Sequence, residues 1–420
     1  MTGSFAFRAR AALPLRTALA AGLGRLATRG SRAAGLGRGA VIGGRVILAL
    51  QPTALADLCR DKVVVLVTGT NGKTTTTCML ARAMNVLAAV ACNDTGANMP
   101  DGLAAALAAD PNAPCAVLEV DENHLPAVLA DVTPAMVVLL NLSRDQLDRT
   151  GEVRRTERVL RAALAQCSST VVLANCDDVL VTSAAWGAAI PLWISPGTTW
   201  RRDGASCPRC GSAIRETVGH WSCFCGFARP EPRWTVDRGG DLMHAGGLRV
   251  PLATSLPGEV NRHNLAFATA AAASLGVPAA AAAAAAGSVR EVDGRYRLAS
   301  YGNHTVRILL AKNPAGWAET LHILGSNAAP AVLAVNARQA DGADLSWLWD
   351  VNFESLRGRR VVVSGERLMD LSVRLSYGEV AHWIEPDPLE AITRLPPGPV
   401  DLVANYTAFR DVTARLPHDQ

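Results

Sequence analysis

Lysine is scarce in this 420-residue chain. Among 41 basic residues only Lys62, Lys73 and Lys312 are Lys, and the remaining 38 are Arg. Aromatic residues make up only 5%, which leaves little material for the stacking platforms of single-stranded nucleic-acid binders. Charged residues are few at 19% against 49% hydrophobic, a balance that excludes wholesale disorder. No apolar run approaches the roughly 20 residues needed to span a bilayer as a helix. No secretory signal with a small-residue cleavage site is evident, so a reducing cytosol is expected and a disulfide framework is not. Acidic residues are missing from the entire start of the chain, the first being Asp57.

What stands at the start instead is positive charge. Residues 1–50 hold eight Arg and no Asp or Glu, so against a total of +4 the other 370 residues sum to −4. That total is too small to argue for nucleic acid by itself. The basic, Ala-rich segment reads as helical with Gly breaks. Three readings stand: a helix packed on its own domain, a basic helix resting on anionic lipid, or an organellar transit peptide. The length predicts two or three domains at roughly 150 residues each. Of the ten cysteines, Cys59, Cys78, Cys92, Cys115, Cys167 and Cys176 are scattered and read as small buried hydrophobes. The other four cluster.

Apolar runs alternate with helical patterns. Val63 to Val67, Ala116 to Val120, Ala135 to Leu140 and Val171 to Leu173 read as buried parallel strands, and this alternation predicts an α/β fold with a doubly wound sheet. Ligands of such sheets bind beyond the carboxyl ends of the strands. The first strand runs into Gly69-Thr70-Asn71-Gly72-Lys73-Thr74-Thr75 and then a helix. A glycine-rich turn at a helix N-terminus offers backbone N–H groups to phosphate, with the helix dipole adding to the attraction. Lys73 is placed to neutralise the β/γ-phosphates, and the hydroxyl of Thr74 or Thr75 to hold Mg²⁺. Glu119 ends the second strand, within reach of a nucleotide-bound Mg²⁺. Residues 261–287 predict a pair of Ala-rich helices, and residues 300–420 a second alternation with strands near Val306–Leu310, Ala331–Val335 and Arg360–Ser364.

These motifs resemble the Mur ligase superfamily, which includes the folylpolyglutamate synthetases. The loop is that family's short phosphate loop, and Glu119 stands where the family places its magnesium glutamate. Asn261-Arg262-His263-Asn264 is similar to an Asn-x-x-Asn segment whose second Asn contacts the nucleotide, and Asn175-Cys176-Asp177-Asp178 to an Asn-x-Asp-Asp strand end. Four further features resemble the MurT branch: a four-cysteine insert and the segments Arg144–Arg149, Lys312–Trp317 and Asp341–Asp350. The resemblance implies a basic segment over 1–50, a Mur ligase central ATP-binding domain over 51–299 and a smaller C-terminal MurT-type α/β domain over 300–420. It implies a peptidoglycan ligase that activates the α-carboxylate of D-glutamate in lipid II as an acyl phosphate. Ammonia from a GatD-type glutamine amidotransferase partner then gives D-isoglutamine. Asp350 is implied to assist the partner's Cys/His site, with Asp341 and Asp344 as rivals. ATP and Mg²⁺ are the implied cofactors, and the bacterial cytoplasm, at the inner membrane face, the implied location.

Amino-acid-adding Mur and folylpolyglutamate-type ligases remain the alternative. They use a carbamylated Lys after the glutamate, yet no Lys lies between Lys73 and Lys312, which favours addition of ammonia. The insert, about residues 201–233, carries Cys207-Pro208-Arg209-Cys210-Gly211 and Cys223-Phe224-Cys225-Gly226. Four thiolates suit a structural zinc ribbon with no open position for catalysis. The Cys-x-Cys half departs from the usual Cys-x-x-Cys, and His220 is a spare ligand candidate.

Overall fold

The five residues Val63 to Val67 are apolar because both faces of their strand are covered. In the computed structural model, described for residues 12–34, 40–93, 96–144, 153–197, 202–292, 295–325 and 328–416, Val64 to Val67 are all buried. This strand, β1 (Val63–Thr68), lies inside a nine-stranded sheet with β2 (Val90–Cys92), β3 (Cys115–Glu119), β4 (Met136–Leu139), β5 (Val171–Asn175) and β6 (Ile190–Ser195). The hairpin β7 (Arg215–Thr217) and β8 (His220–Ser222) is a separate two-stranded sheet, after which β9 (Trp234–Val236), β10 (Leu242–His244) and β11 (Arg249–Val250) rejoin the large one. The order is β11-β10-β9-β6-β5-β4-β1-β3-β2, and all neighbours are parallel except β9–β10 and β10–β11. With β3 and β2 to one side of β1 and β4 to β6 to the other, the carboxyl end of β1 lies at a topological switch point, where ligands of open α/β sheets bind.

The chain divides into two compact units. The first holds the residues up to Leu142, Arg154–Leu256 and Val260–Arg290, and the second holds Ser143–Val153, Pro257–Glu259 and the residues from Glu291 onward. In the first unit, the Ala-rich stretch forms helices Glu259–Ser274 and Ala279–Gly287. The latter packs on the Lys73–Met84 helix that follows the phosphate loop. The basic N-terminal segment forms helices Leu15–Ala33 and Ala40–Leu50, which pack on each other and on the helix Pro100–Ala109. Gly44 makes that approach possible, since a Cβ there would overlap the Asp101 carbonyl oxygen.

The second unit is a six-stranded sheet of β12 (Tyr296–Tyr301), β13 (His304–Leu310), β14 (Ala331–Ala334), β15 (Val361–Ser364), β16 (His382–Ile384) and β17 (Gly398–Ala404), in the order β12-β13-β17-β14-β15-β16. Only β12 is antiparallel to its neighbour. One core joins Val306, Ile308, Val332, Val362 and Leu402 of the sheet to Leu389 and Ile392 of the helix Pro388–Thr393 and Phe409 and Val412 of the helix Tyr406–Arg415. The connection from β14 to β15 carries two 3₁₀ turns, Ser346–Asp350 and Phe353–Leu356. Phe353 meets the buried Trp317 edge-on at 5.3 Å between ring centroids.

Candidate functional site

The phosphate loop follows β1 and ends at Gly72, the N-cap of the Lys73–Met84 helix, with φ +83°. A side chain there would be strained, and its Cβ would fall 2.5 Å from Asn264 Oδ1. The same Asn264 oxygen accepts from Thr76 Oγ1 at 3.2 Å, and Asn264 Nδ2 donates to Asn261 Oδ1 at 3.3 Å. The structure thus brings Asn264 against the loop from 192 positions further along the chain than Gly72. Lys73, Thr74 and Thr75 open the helix and are all buried. The first N–H groups of any helix have no intrahelical acceptor and attract anions.

Lys73 is only 4% exposed. Its ammonium donates to Glu122 Oε2 at 2.9 Å and to the loop carbonyls of Gly69 and Thr70. Burial pulls its pKa down, but Glu122, Glu119 and Asp121 more than offset this and hold it above the ordinary lysine value. The group is a cation held among carboxylates and carbonyls.

Glu119 is fully buried at the end of β3. Asn93 clamps its backbone from both sides, accepting from Glu119 N at 2.7 Å and donating to Glu119 O at 2.8 Å. Asn98 Nδ2 donates to Oε1 at 3.1 Å, while Oε2 has no hydrogen-bond partner. A buried carboxylate oxygen left without a donor is costly unless something binds it, and a divalent cation fits that position.

The motif search missed several residues of this site. Asn141 accepts from Asn71 N at 2.8 Å and returns Nδ2 to Asn71 O at 2.9 Å, while its own carbonyl accepts from Thr70 N at 2.9 Å. The parallel register pairs Thr68 with Leu139, which brings Asn141 alongside the loop. The signal was present as the polar residue ending a strand. Glu122, Asn93 and Asn98 carried no motif.

The Asn175–Asp178 segment is a structural junction. Asn175 Nδ2 donates to Leu140 O at 3.0 Å, and Asp178 caps the helix Val179–Ala185 by accepting from Leu180 N and Val181 N. Asp178 also accepts from Leu142 N at 2.9 Å, and burial pushes its carboxyl up to about 6 against these donors. Asp177 accepts from Ser195 Oγ, Gly197 N and Arg229 Nε.

Arg229 belongs to the cysteine module, which is anchored at the same junction. Trp221 Nε1 donates to Cys176 O at 2.9 Å, and Trp221, Phe227, Cys207 and Cys223 pack with Val179. The sulfurs of Cys207, Cys210, Cys223 and Cys225 all lie within 4.8 Å of one another, with Cys207–Cys225 at 3.8 Å and Cys210–Cys223 at 3.4 Å. These separations are too long for disulfides. They lie close to the about 3.8 Å expected between sulfurs at tetrahedral Zn–S distances of about 2.3 Å. Hydrogen bonds from Ser212 hold the Cys210 thiol down to about 6, while burial raises Cys207. Against a backbone hydrogen bond from Cys225, burial and the neighbouring thiols raise Cys223 to about 12, so without a metal the four thiols share fewer than four negative charges. His220 is exposed in β8 and outside the cluster.

In the second unit the three candidate aspartates differ. Asp341 is buried and accepts from Thr407 N, Thr407 Oγ1 and Arg338 N. Asp344 caps the 3₁₀ turn through Ser346 N and Oγ. Asp350 is half-buried at the end of that turn and pairs with Arg144 Nη1 at 3.2 Å. Beside it Trp349 is 56% exposed and meets Tyr377 edge-on at 5.3 Å. Met369, Val373 and Tyr377 are exposed along one face of the helix Leu368–Tyr377. Residues 145–149 of the Arg144–Arg149 segment lie outside the described residues.

The Mur ligase middle domain family matches residues 67–191, and the MurT ligase C-terminal family matches residues 310–409. The chain is 29% identical over 338 residues to the lipid II isoglutaminyl synthase (glutamine-hydrolyzing) subunit MurT of Streptococcus pneumoniae (strain ATCC BAA-255 / R6), covering 74% of this chain and 76% of that one. It is 27% identical over 342 residues to the subunit of the same description from Staphylococcus aureus (strain COL), covering 76% and 78%. Among solved structures, a pseudomurein peptide ligase type C from Methanothermus fervidus superposes with a TM-score of 0.65 at 18% identity, over 84% of this chain and 79% of that one.

Proposed function

We infer that this chain, a MurT-type member of the Mur ligase family, is the ligase subunit of a lipid II isoglutaminyl synthase. The observation that carries the reading is the joining, in one chain, of a Mur ligase middle domain to a MurT ligase C-terminal domain. The reaction is ATP-dependent amidation of the D-glutamate α-carboxylate of lipid II, a step of peptidoglycan biosynthesis. The substrate's lipid carrier places the reaction at the inner face of the cytoplasmic membrane.

A carboxylate is a poor electrophile, so it must first be given a leaving group. A substrate carboxylate oxygen attacks the γ-phosphorus of ATP, and the bond to ADP breaks. The ammonia nitrogen then attacks the acyl carbon, the carbon–oxygen bond to phosphate breaks, and the proton the nitrogen sheds leaves on the phosphate as hydrogenphosphate. The loop 69–75 is suited to hold the phosphates through the backbone and Lys73. Thr74 and Glu119 are the residues to hold Mg²⁺, which supplies charge neutralisation at the transferring phosphoryl. Asn264, which meets Gly72 and Thr76, is suited to contact the nucleotide beside the loop. Glu122 holds Lys73 until phosphate competes for it. The four cysteines are suited to a structural zinc, closed to substrate.

The partner is a glutamine amidotransferase of the GatD type, which releases ammonia. Asp350 is the residue proposed to serve its Cys/His site. Half-buried and paired with Arg144, it adjoins the exposed Trp349, which meets the exposed Tyr377, an apolar contact of the kind that partners cover, whereas Asp341 and Asp344 accept hydrogen bonds from within their own loop and from Thr407.

The test is amidation of lipid II, read by mass spectrometry, with ATP and ammonium, and with the partner plus glutamine. Product with ammonium alone, raised at low ammonium by partner and glutamine, is expected. ATP binding without product in either condition overturns the reading in favour of an amino-acid-adding ligase.

A further inference from the structure

The helix Leu15–Ala33 presents its larger apolar side chains to solvent. The face turned to the body of the first unit is made of small residues: Thr17, Ala20, Ala21 and Gly24 are buried. It is fastened by Thr17 Oγ1 to Asp57 Oδ2 at 2.6 Å and by Arg25 Nη1 to Ala108 O at 3.0 Å. Leu15, Leu19, Leu23 and Leu26 are 76%, 61%, 50% and 60% exposed. At about 100° per residue these four fall within an arc of about 80°. An amphipathic helix packed for its own stability buries its leucines. Here the packing is complete without them, and they form one continuous stripe.

Charge surrounds the stripe. On the same helical wheel, Arg16 borders one side and Arg29 the other, both exposed, and Arg32 lies in the last turn. The neighbouring helix Ala40–Leu50 exposes Val41 at 43% and Ile42 at 47%, while its Arg45 pairs with Asp101 at 3.4 Å. No acidic residue occurs in the first 56 residues. An exposed leucine stripe bordered by Arg on an acid-free segment is the pattern of a helix that lies in a membrane interface, with its apolar side among the acyl chains and its cations at anionic headgroups. Among the described residues no helix is long and apolar enough to cross a membrane.

We propose that the Leu15–Ala33 helix docks the chain on an anionic bilayer through Leu15, Leu19, Leu23 and Leu26, with Arg16, Arg29 and Arg32 reading the surface charge. The occupant is the lipid surface itself. Charge complementarity argues for it, since the segment carries cations and no anions. The proposal stands apart from the amidation reading, because vesicle binding requires neither ATP nor partner.

The experiment is co-sedimentation of the full chain with vesicles of phosphatidylcholine and phosphatidylglycerol at 70:30, and of phosphatidylcholine alone. Binding to the anionic vesicles, falling at least about tenfold without phosphatidylglycerol, is expected. The variant L15Q/L19Q/L23Q/L26Q should lose binding by about tenfold or more, with its thermal transition and its amidation of detergent-solubilised lipid II unchanged. R16Q/R29Q/R32Q should keep weak binding but lose its dependence on anionic lipid and on salt. No sedimentation of the wild-type chain, or equal sedimentation of the leucine variant, overturns the proposal. So does a leucine variant that changes only the oligomeric state or the capture of a glutaminase partner, since the stripe would then be a protein interface.

Discussion

At the carboxyl ends of β14 and β17, Asn336 and Asn405 lock each other: Asn336 N donates to Asn405 Oδ1 at 3.0 Å, and Asn405 Nδ2 donates to Asn336 O. At the carboxyl end of β4, Asn141 locks Asn71 of the phosphate loop by a similar reciprocal pair. Both sheets therefore use a strand-end amide to fix a neighbouring chain, yet the groups around the two locks differ. In the six-stranded sheet Arg338 is held by Glu366 and Asp411, and Arg415 by Asp387, so the charges answer one another. In the nine-stranded sheet Glu119 Oε2 is buried without a donor, and a helix N-terminus opens onto the loop. A strand end prepared for a charged ligand keeps unmet polar capacity, whereas one closed by its own side chains leaves function to the surface. In the second unit the surface proposed for that role is the turn ending at Asp350.

The widest break in this comparison comes from Lys73. Lys73→Ala should lower kcat/KM for ATP by about a thousandfold, about 4 kcal/mol of transition-state stabilisation. It should also strand Glu122 as a buried carboxylate without its cation. Glu122→Gln, which keeps the hydrogen bond, should lose far less. Steady-state kinetics on both variants separates the lysine's phosphate role from its role in the fold, and a thousandfold loss in both would assign the effect to the ion pair.

The cysteine module tests whether the first unit depends on an attached staple. Cys207→Ser removes one thiolate of four and loosens the cluster of Trp221, Phe227 and Val179. One zinc per chain is expected in the wild type by elemental analysis, and the variant should lose it together with about 3 kcal/mol of stability, read by denaturant unfolding. Full zinc content in the serine variant would remove Cys207 from the ligand set.

Asp350 is the counterpart test in the second unit. Asp350→Asn should reduce glutamine-dependent amidation about a hundredfold, about 2.7 kcal/mol, while ATP affinity and ammonium-dependent amidation stay at wild-type values. The separation between the two nitrogen sources is what the comparison predicts, since a surface residue serving a partner has no part in holding the nucleotide. Equal loss with ammonium would move Asp350 into the ligase chemistry itself.

How far the sequence disclosed this arrangement depends on the kind of signal. The strands were legible because burial on both faces makes them continuous apolar runs: Val63–Thr68, Val171–Asn175 and Val361–Ser364 all stand where apolar runs were read. The phosphate loop was legible because its chemistry is local, with glycine, lysine and threonine on adjacent positions. The Mur-type architecture was legible from motifs in the same way. The contacts of Asn141, Glu122, Asn93 and Asn98 were not, because they depend on register between segments 21 to 70 positions apart. The outward leucines of the Leu15–Ala33 helix run against ordinary amphipathic reasoning, which turns the larger apolar side chains inward. Only the packing of Thr17, Ala20, Ala21 and Gly24 reveals the reversal.

Asn141 supplies the finest test of the contrast between the two strand ends. Its side chain replaces neither a phosphate contact nor a metal ligand. It holds Asn71 N and Asn71 O, and with them the path of the loop. Asn141→Ala leaves Thr70 N bonded to the residue 141 carbonyl, because that bond is made by the backbone. The loop should then remain at the strand end but sample more conformations, and ATP affinity should fall by about tenfold, about 1.4 kcal/mol, with kcat changed less than KM. Asn141→Asp, which keeps the acceptor for Asn71 N but loses the donor to Asn71 O, should add a negative charge beside the phosphates and weaken ATP further. Aspartate binding ATP more tightly than alanine would show that the lock acts by its acceptor alone and that charge at this strand end does not reach the nucleotide.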